Sequence, residues 1–287
     1  MFRYSRTKFR LLTNVQLLLS IRNYLCEKYP SVLKQLNMNE DSRKISNILQ
    51  ESLKESDGFE WYPFKVVSYN SNVAENIRLD FDSDSLAVIV LSTPLYFEKT
   101  LKSWLQQLYS QGDCLQDLII RVKRNPITHY FNLKFSNIEK LVSPYKMWWT
   151  SDYEPVIHRP PKVSLPAAGH VAGAAYFYPP NTGGNTEKRR MGLSLHPQYG
   201  GHFSFRGVLV FPDIKLSSDF REMSAPKLLE SDEEIIRVID LLNHHYIDNR
   251  YRDFGNPKQK YSDLQLKYFN TDPRKRWQLI AHWFEVN

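Results

Sequence analysis

The chain is poor in cysteine: Cys26 and Cys114 are the only two in 287 residues. So few, so far apart, they argue against a disulfide framework and suit a reducing compartment. No run of about 18 apolar residues occurs, which excludes a transmembrane helix. Also missing are a GxxxxGK[ST] phosphate loop, a GxGxxG turn, an HExxH helix, a CxxC pair and a GxSxG elbow. The chemistries that those motifs serve lose their usual signature here. His244-His245 has no nearby cysteine or spaced carboxylate, so no metal site built from protein side chains is expected. Basic residues are spread out, without an RNP or helix-turn-helix pattern, so no nucleic-acid partner is expected. No repeat of 20–50 residues is visible.

What is present is a globular composition, 42% hydrophobic and 24% charged, too apolar for a disordered chain. The length allows one large domain or two small ones. The 38 Lys and Arg against 31 Asp and Glu leave +7, which hints at anionic partners without fixing a function.

The first 25 residues carry Arg3, Arg6, Lys8, Arg10 and Arg22, no acid, and interleaved leucines. Two readings stay open: a mitochondrial presequence, or a basic helix packed on the main domain. Residues 1–45 are therefore read as a basic extension and 46–287 as the working domain. A helical pattern runs to about Leu53, followed by a loop over residues 54–58. Phe59 to Tyr69 is aromatic and β-branched, a strand that Pro63 pushes toward an edge. Leu86 to Leu91 (LAVIVL) is a strand buried on both faces. Thr93-Pro94 opens a helix, and Leu118 to Val122 is a short strand candidate.

Four prolines make Pro155 to Pro166 extended, and Ala167 to Tyr178 is small-residue-rich and helical, ended by Pro179-Pro180. Residues 181–190 form a polar loop. Gly192 to His196 and His202 to Phe211 are expected to form two strands of a hairpin through Pro197–Gly201. Ser231 to Glu234 is a capping box that opens a helix, and two more helical pieces lie near Asp263 to Phe269 and Pro273 to Phe284. The class is α+β.

Two segments stand out: HVAGAAYFY from His170, and HPQYGGHFSFRG from His196. Small residues at 167–169 and 172–175 permit either close ligand approach to a helix or tight packing on the sheet. Gly200-Gly201 reads as a turn that needs positive φ. Arg206 lies in an otherwise apolar run, and buried there it requires an anion: a ligand or a structural ion pair.

These segments, with GFEWYPFKVVSYN (58–70), VLSTPLYFEKTLK (90–102), DYEPVIHRPPK (152–162), YRDFGNPKQKYS (251–262) and KYFNTDPRKR (267–276), occur in the order of one family. The chain resembles the CblC (MMACHC) family of intracellular cobalamin-processing proteins over roughly four fifths of its length. The resemblance implies a fold like that of flavin-dependent nitroreductases, a central antiparallel sheet flanked by helices. It implies alkylcobalamin dealkylation with glutathione as cosubstrate, and cyanocobalamin reduction with a flavin (FMN or FAD) and NADPH. By resemblance cobalamin is bound by Asp152, Val163, Ser164, Leu165, Pro166, Phe177, Tyr178, Pro179, Ser194 and Phe205, and glutathione by Arg206, Arg252 and Arg276. Guanidinium groups suit the two carboxylates of glutathione. The nucleophile is the glutathione thiolate, so no catalytic side chain is expected, and the cobalt arrives with the cobalamin.

His170, Gly200, Gly201 and Tyr261 are further candidates for the pocket. The B12 motif Asp-x-His-x-x-Gly has its aspartate two residues before the histidine, where this chain has Ala168. His170 is therefore read as structural or rim rather than as a cobalt ligand. Pro179, His202, Asn249 and Arg250 depart from the family pattern. The resemblance also implies a cytoplasmic location and a downstream B12-trafficking adaptor (CblD-like), with methionine synthase as another partner. Two other readings compete: a cobalamin chaperone with little catalysis, and a plain flavin-dependent oxidoreductase.

Overall fold

The computed structural model describes residues 40–109, 114–122, 125–153, 162–180 and 190–285. Cys26, the basic start of the chain and most of the 181–190 loop lie outside these residues, as does most of Pro155 to Pro166.

The LAVIVL run is the middle of β2 (Ser85–Ser92), in which every residue is buried. Side chains alternate along a strand, so Leu86, Val88 and Val90 join one core and Ala87, Ile89 and Leu91 another. β1 (Phe59–Lys65) flanks β2 on one side and β6 (Ser204–Lys215) on the other, with β3 (Trp148–Ser151) beyond β6, all antiparallel. β1 is an edge strand, as Pro63 led us to expect.

Helices cover both faces. In the first core, β2 meets Ile45 and Leu49 of α1 (Glu40–Ser52). After α2 (Val66–Asn70), a π-turn (Tyr96–Leu101) leads into α3 (Lys102–Tyr109), and α4 (Leu115–Arg121) and α5 (Pro126–Leu141) follow. Leu101, Leu105, Phe131 and Phe135 complete this core. In the second core, Ala168 and Ala172 pack from α6 (Leu165–Val171) and its end. A two-stranded sheet, β4 (Tyr176–Tyr178) with β5 (Leu193–Leu195), packs on Val238, Ile239 and Leu241 of α7 (Asp232–His244). α8 (Asp263–Asn270) and α9 (Arg276–Ile280) follow, and a 3-10 turn (Ala281–Phe284) that buries Trp283 and Phe284 comes last. The α+β class and the antiparallel sheet flanked by helices are as expected, and Ser231 caps α7 through Glu234 N–H at 3.1 Å. α1 runs across residue 45, where the extension was expected to end.

Several local expectations are corrected. Leu118 to Val122 is helical, not a strand: Leu118 and Val122 are buried four residues apart while Ile120 is exposed, a pattern too short to assign by period. The helix expected over Ala167 to Tyr178 stops at Val171; Gly173, at φ 79°, turns the chain into strand β4. Leu165 and Pro166 open α6 rather than extend, because Ser164 caps the helix and proline fits its first turn. The strand from Phe59 ends at Lys65, and residues 66–70 coil into α2. The hairpin does not form. β5 pairs with β4, and the 196–201 turn instead carries the chain from one sheet to the other.

Candidate functional site

The pairing of β2 with β6 slips between Val90 and Leu91: Val90 faces Gly207 and Leu91 faces Phe205. Arg206 is the extra residue of this bulge, and bulges re-aim side chains. Its Nε donates to Ser92 Oγ at 2.7 Å, and its Nη1 donates to Asp152 Oδ2 at 2.8 Å. Its guanidinium lies over the Phe131 ring at 5.2 Å. The anion that the sequence called for is thus a carboxylate of the chain itself, just past β3. The pair leaves two buried polar atoms over. Arg206 Nη2 and Asp152 Oδ1 have no hydrogen-bond partner among the described residues, nor has Ser194 Oγ on β5. Burial raises the Asp152 pKa, against the pull of Arg206.

All three residues line one cavity of about 550 Å³ between β6, the start of α5, the start of α6, β5 and the C-terminal helices. Arg252 and Arg276 line it as well. Arg252 Nη1 donates to Gly201 O at 2.5 Å and its Nε to Asn249 Oδ1 at 3.2 Å, and its guanidinium lies 4.8 Å from the Tyr251 ring centre. Arg276 Nε donates to Thr271 O at 2.9 Å; burial draws its pKa down, against Tyr268 and Asp272. Neither arginine has a carboxylate within ion-pair distance among the described residues. The lining therefore holds three guanidiniums against one carboxylate, with Leu165, Phe203, Phe205 and Phe269 as apolar wall. Such a wall suits a flat, partly apolar ligand that carries anionic groups.

Of the residues singled out in the sequence, Asp152, Leu165, Pro166, Ser194, Gly201, Phe205, Arg206, Arg252 and Arg276 line the cavity. The others support its wall or lie apart. Val163 is buried in the second core. Ser164 caps α6 and its N–H donates to Tyr69 Oη at 2.8 Å. Phe177 packs against Gly192, where an added Cβ would lie 2.5 Å from its ring. Tyr178 Oη accepts from Leu228 N–H and Leu229 N–H, both at 2.8 Å, and Pro179 is exposed. Gly200, at φ 53°, backs onto Arg252 O. Tyr261 Oη meets Ser204 Oγ at 3.1 Å, behind the cavity.

His170 Nδ1 accepts from Phe177 N–H at 3.2 Å. The ring proton then belongs on Nε2, which makes that nitrogen a donor rather than a metal ligand. Among the described residues no three His, Cys, Asp or Glu side chains gather as for a metal ion, and no helix is long and apolar enough to cross a membrane. Cys114 is exposed and hydrogen-bonds Asp117 at 3.0 Å, away from the cavity lining.

Sequence reasoning missed Asn125, Ile127, Thr128, Tyr153 and Phe269 on the wall. Asn125-Pro126 is legible as a helix start, since Asn125 Oδ1 accepts from Thr128 N–H. That this start faces the cavity depends on where α5 packs.

Known proteins resemble the chain over most of its length. The sequence model of the Methylmalonic aciduria and homocystinuria type C family matches residues 58–280. The chain is 30% identical to an MMACHC-like protein of Caenorhabditis elegans over 85% of this chain and 95% of that one. It is 35% identical to a cyanocobalamin reductase / alkylcobalamin dealkylase of Gallus gallus, over 78% of this chain and 91% of that one. The Homo sapiens protein of the same description is 31% identical, over 78% and 77%. The crystal structure of the C. elegans B12-trafficking protein CblC superposes with a TM-score of 0.77 at 30% identity, covering 85% of this chain and 97% of that one.

Proposed function

The chain belongs to the Methylmalonic aciduria and homocystinuria type C family, and we propose that it is a cobalamin-processing enzyme, an alkylcobalamin dealkylase and cyanocobalamin reductase. The observation that carries this reading is the cavity itself: three arginines from separate elements around an aromatic wall, with Asp152, Arg206 and Ser194 in the lining each keeping one buried polar atom (Oδ1, Nη2, Oγ) without a partner among the described residues. A corrin is a wide, amide-fringed ring. An amide offers a carbonyl to Arg206 Nη2 and an N–H to Asp152 Oδ1, so the unsatisfied pair suits its fringe. Phe205 and Leu165 offer the ring apolar contact. His170 is engaged as an acceptor and Ala168 supplies no orienting carboxylate, which favours cobalamin bound base-off.

Arg252 and Arg276, with no carboxylate of the described residues within ion-pair distance, suit the two carboxylates of glutathione, with Arg206 adding positive charge. In dealkylation the thiolate sulfur attacks the cobalt-bound carbon. The carbon–sulfur bond forms, the cobalt–carbon pair stays on the metal, and cob(I)alamin and an S-alkylglutathione result. A free thiol is mostly protonated at neutral pH, with a pKa of about 8.5, so three nearby cations favour the reactive thiolate. Holding sulfur and carbon in contact supplies the proximity term.

In the reductive branch a flavin, FMN or FAD, supplies electrons drawn from NADPH, and cyanide leaves. The aromatic wall and the arginines suit an isoalloxazine ring and its phosphate. A nitroreductase-like ancestry for the sheet, a cytoplasmic site of action, and delivery to a CblD-like adaptor and methionine synthase complete the proposal.

Anaerobic absorbance spectroscopy with methylcobalamin is the test. A blue shift of the visible band on binding, then a cob(I)alamin spectrum with S-methylglutathione after glutathione is added, is the expected result. No shift at all would sink the cobalamin reading. A shift without turnover, in glutathione and in NADPH with flavin and cyanocobalamin alike, would leave a carrier.

A further inference from the structure

Behind the cavity, on the edge strand β1, lies a group of titratable side chains that the chemistry above does not use. The Glu60 carboxylate accepts from Tyr62 Oη and Tyr199 Oη, each at 2.6 Å, and meets His196 Nε2 at 3.2 Å. His196 Nδ1 accepts from Gln198 N–H at 3.1 Å, so the ring proton sits on Nε2 and points at Glu60. The imidazole stacks on Tyr199, with centroids 4.5 Å apart and planes at 17°. Burial alone would raise the Glu60 pKa, yet the bonds from His196, Tyr199 and Tyr62 hold it below its ordinary value. An ionised carboxylate among aromatic rings is costly unless hydrogen-bonded, and this one accepts on both oxygens, once on Oε1 and twice on Oε2.

The group fastens one turn. His196 and Gly200 exchange backbone hydrogen bonds at 2.9 and 2.8 Å, closing residues 196–200 into a loop. The next residue grips Arg252 from both sides: Gly201 N–H donates to Arg252 O at 2.8 Å, and Arg252 Nη1 donates to Gly201 O at 2.5 Å. Gln198 O accepts from Lys258 N–H at 2.8 Å, so the same turn holds the chain on the far side of Arg252. Contact is tight enough that a Cβ on Gly201 would lie 2.8 Å from Arg252 Cα.

We infer that Glu60 is a positioning residue, which through Tyr199 and His196 sets the 196–201 turn and thereby aims Arg252 into the cavity. It does not touch substrate. The inference deepens the proposed function and rests on it in one respect, the reading of Arg252 as a contact for a glutathione carboxylate.

Two variants of the full-length chain test it. Glu60→Gln gives the phenols and the imidazole a neutral amide of the same size; Tyr199→Phe removes one hydroxyl and is the milder change should the first fold poorly. The first readout needs no ligand: the rate at which phenylglyoxal modifies Arg252, followed by peptide mass spectrometry. The second is KM for glutathione against kcat in methylcobalamin dealkylation. Expected are several-fold faster modification and a KM raised about tenfold, with kcat within about twofold of the parent. Unchanged modification of Arg252 in both folded variants would overturn the positioning role, as would a fall in kcat with KM unmoved. Faster modification in variants of a parent indifferent to glutathione would keep the positioning role and remove the glutathione reading instead.

Discussion

Arg206 and Asp152, 54 residues apart in the chain, meet at 2.8 Å in the cavity lining, and each keeps one buried polar atom unpaired among the described residues. One pairing joins two walls of the cavity, β6 and the chain just past β3. Removing the cation alone strands the carboxylate, and such losses cost about 3 kcal/mol or more. Arg206→Met is therefore expected to lower unfolding stability by about that amount. Adding Asp152→Asn should recover more than half of the loss, because no bare charge remains. Urea unfolding of the two single variants and the double variant checks this, and strictly additive losses would contradict the pairing.

Gly169 touches Phe205 so closely that an added Cβ would lie 2.2 Å from its ring. Phe205 lines the cavity, so Gly169→Ala should drive the ring inward at a cost of about 1–3 kcal/mol in stability. Cobalamins with a bulky upper ligand should lose more affinity than methylcobalamin. Kd values from absorbance titration, compared between adenosyl- and methylcobalamin, give the ratio.

Tyr178 is nearly wholly buried, and its hydroxyl accepts two backbone N–H groups. Tyr178→Phe leaves both unpaired, which costs about 1–3 kcal/mol each when no water reaches them. Stability should fall by at least about 2 kcal/mol on that reckoning, while cobalamin affinity in the folded protein stays unchanged. A loss of affinity without a loss of stability would make the hydroxyl a ligand contact instead.

His170 and His202 both titrate below their ordinary value of 6.5, chiefly through burial; for His202, Asp253 works against burial while Arg252 and Lys260 assist it. Near pH 6.5 the unfolded chain takes up protons that the folded chain refuses. Stability is therefore full above pH 6.5, falls as pH drops through it, and levels off once the folded imidazoles protonate. Urea midpoints on either side of pH 6.5 should show the fall, and NMR titration of both rings should place their midpoints below it.

The departures at 202 and 249 have a structural explanation. His202 Nδ1 accepts from Tyr261 N–H at 3.3 Å while Nε2 meets Asp253 at 3.0 Å, joining two loops behind the arginines. Asn249, at φ 61°, takes a backbone position that asparagine tolerates, and its side chain steadies Arg252. Arg250 pairs with Asp248 Oδ2 through Nε at 2.8 Å and Nη2 at 2.7 Å on the exposed side of the same turn; for Pro179 nothing in the structure gives such an account.

The sequence by itself determined the parts whose cause is local or compositional. LAVIVL had to be a strand buried on both faces, Pro63 had to sit at an edge, and Ser231 had to cap a helix, because each follows from a few adjacent residues. The collinear motifs likewise carried the family and all three arginines of the cavity lining. Tertiary structure alone decided the rest. Arg206 faces Asp152 because a bulge in the pairing of β2 with β6 turns it there, and a bulge belongs to two strands at once. The strand at Leu193 pairs backward with Tyr176–Tyr178 rather than forward with β6, although a glycine-rich turn is compatible with either partner. Glu60 is unremarkable in sequence and becomes a keystone only when Tyr199 and His196, more than 130 residues on, fold against it. Local propensity reaches across a turn or two; hydrogen bonds and ion pairs between distant segments exist only once packing has brought their partners together.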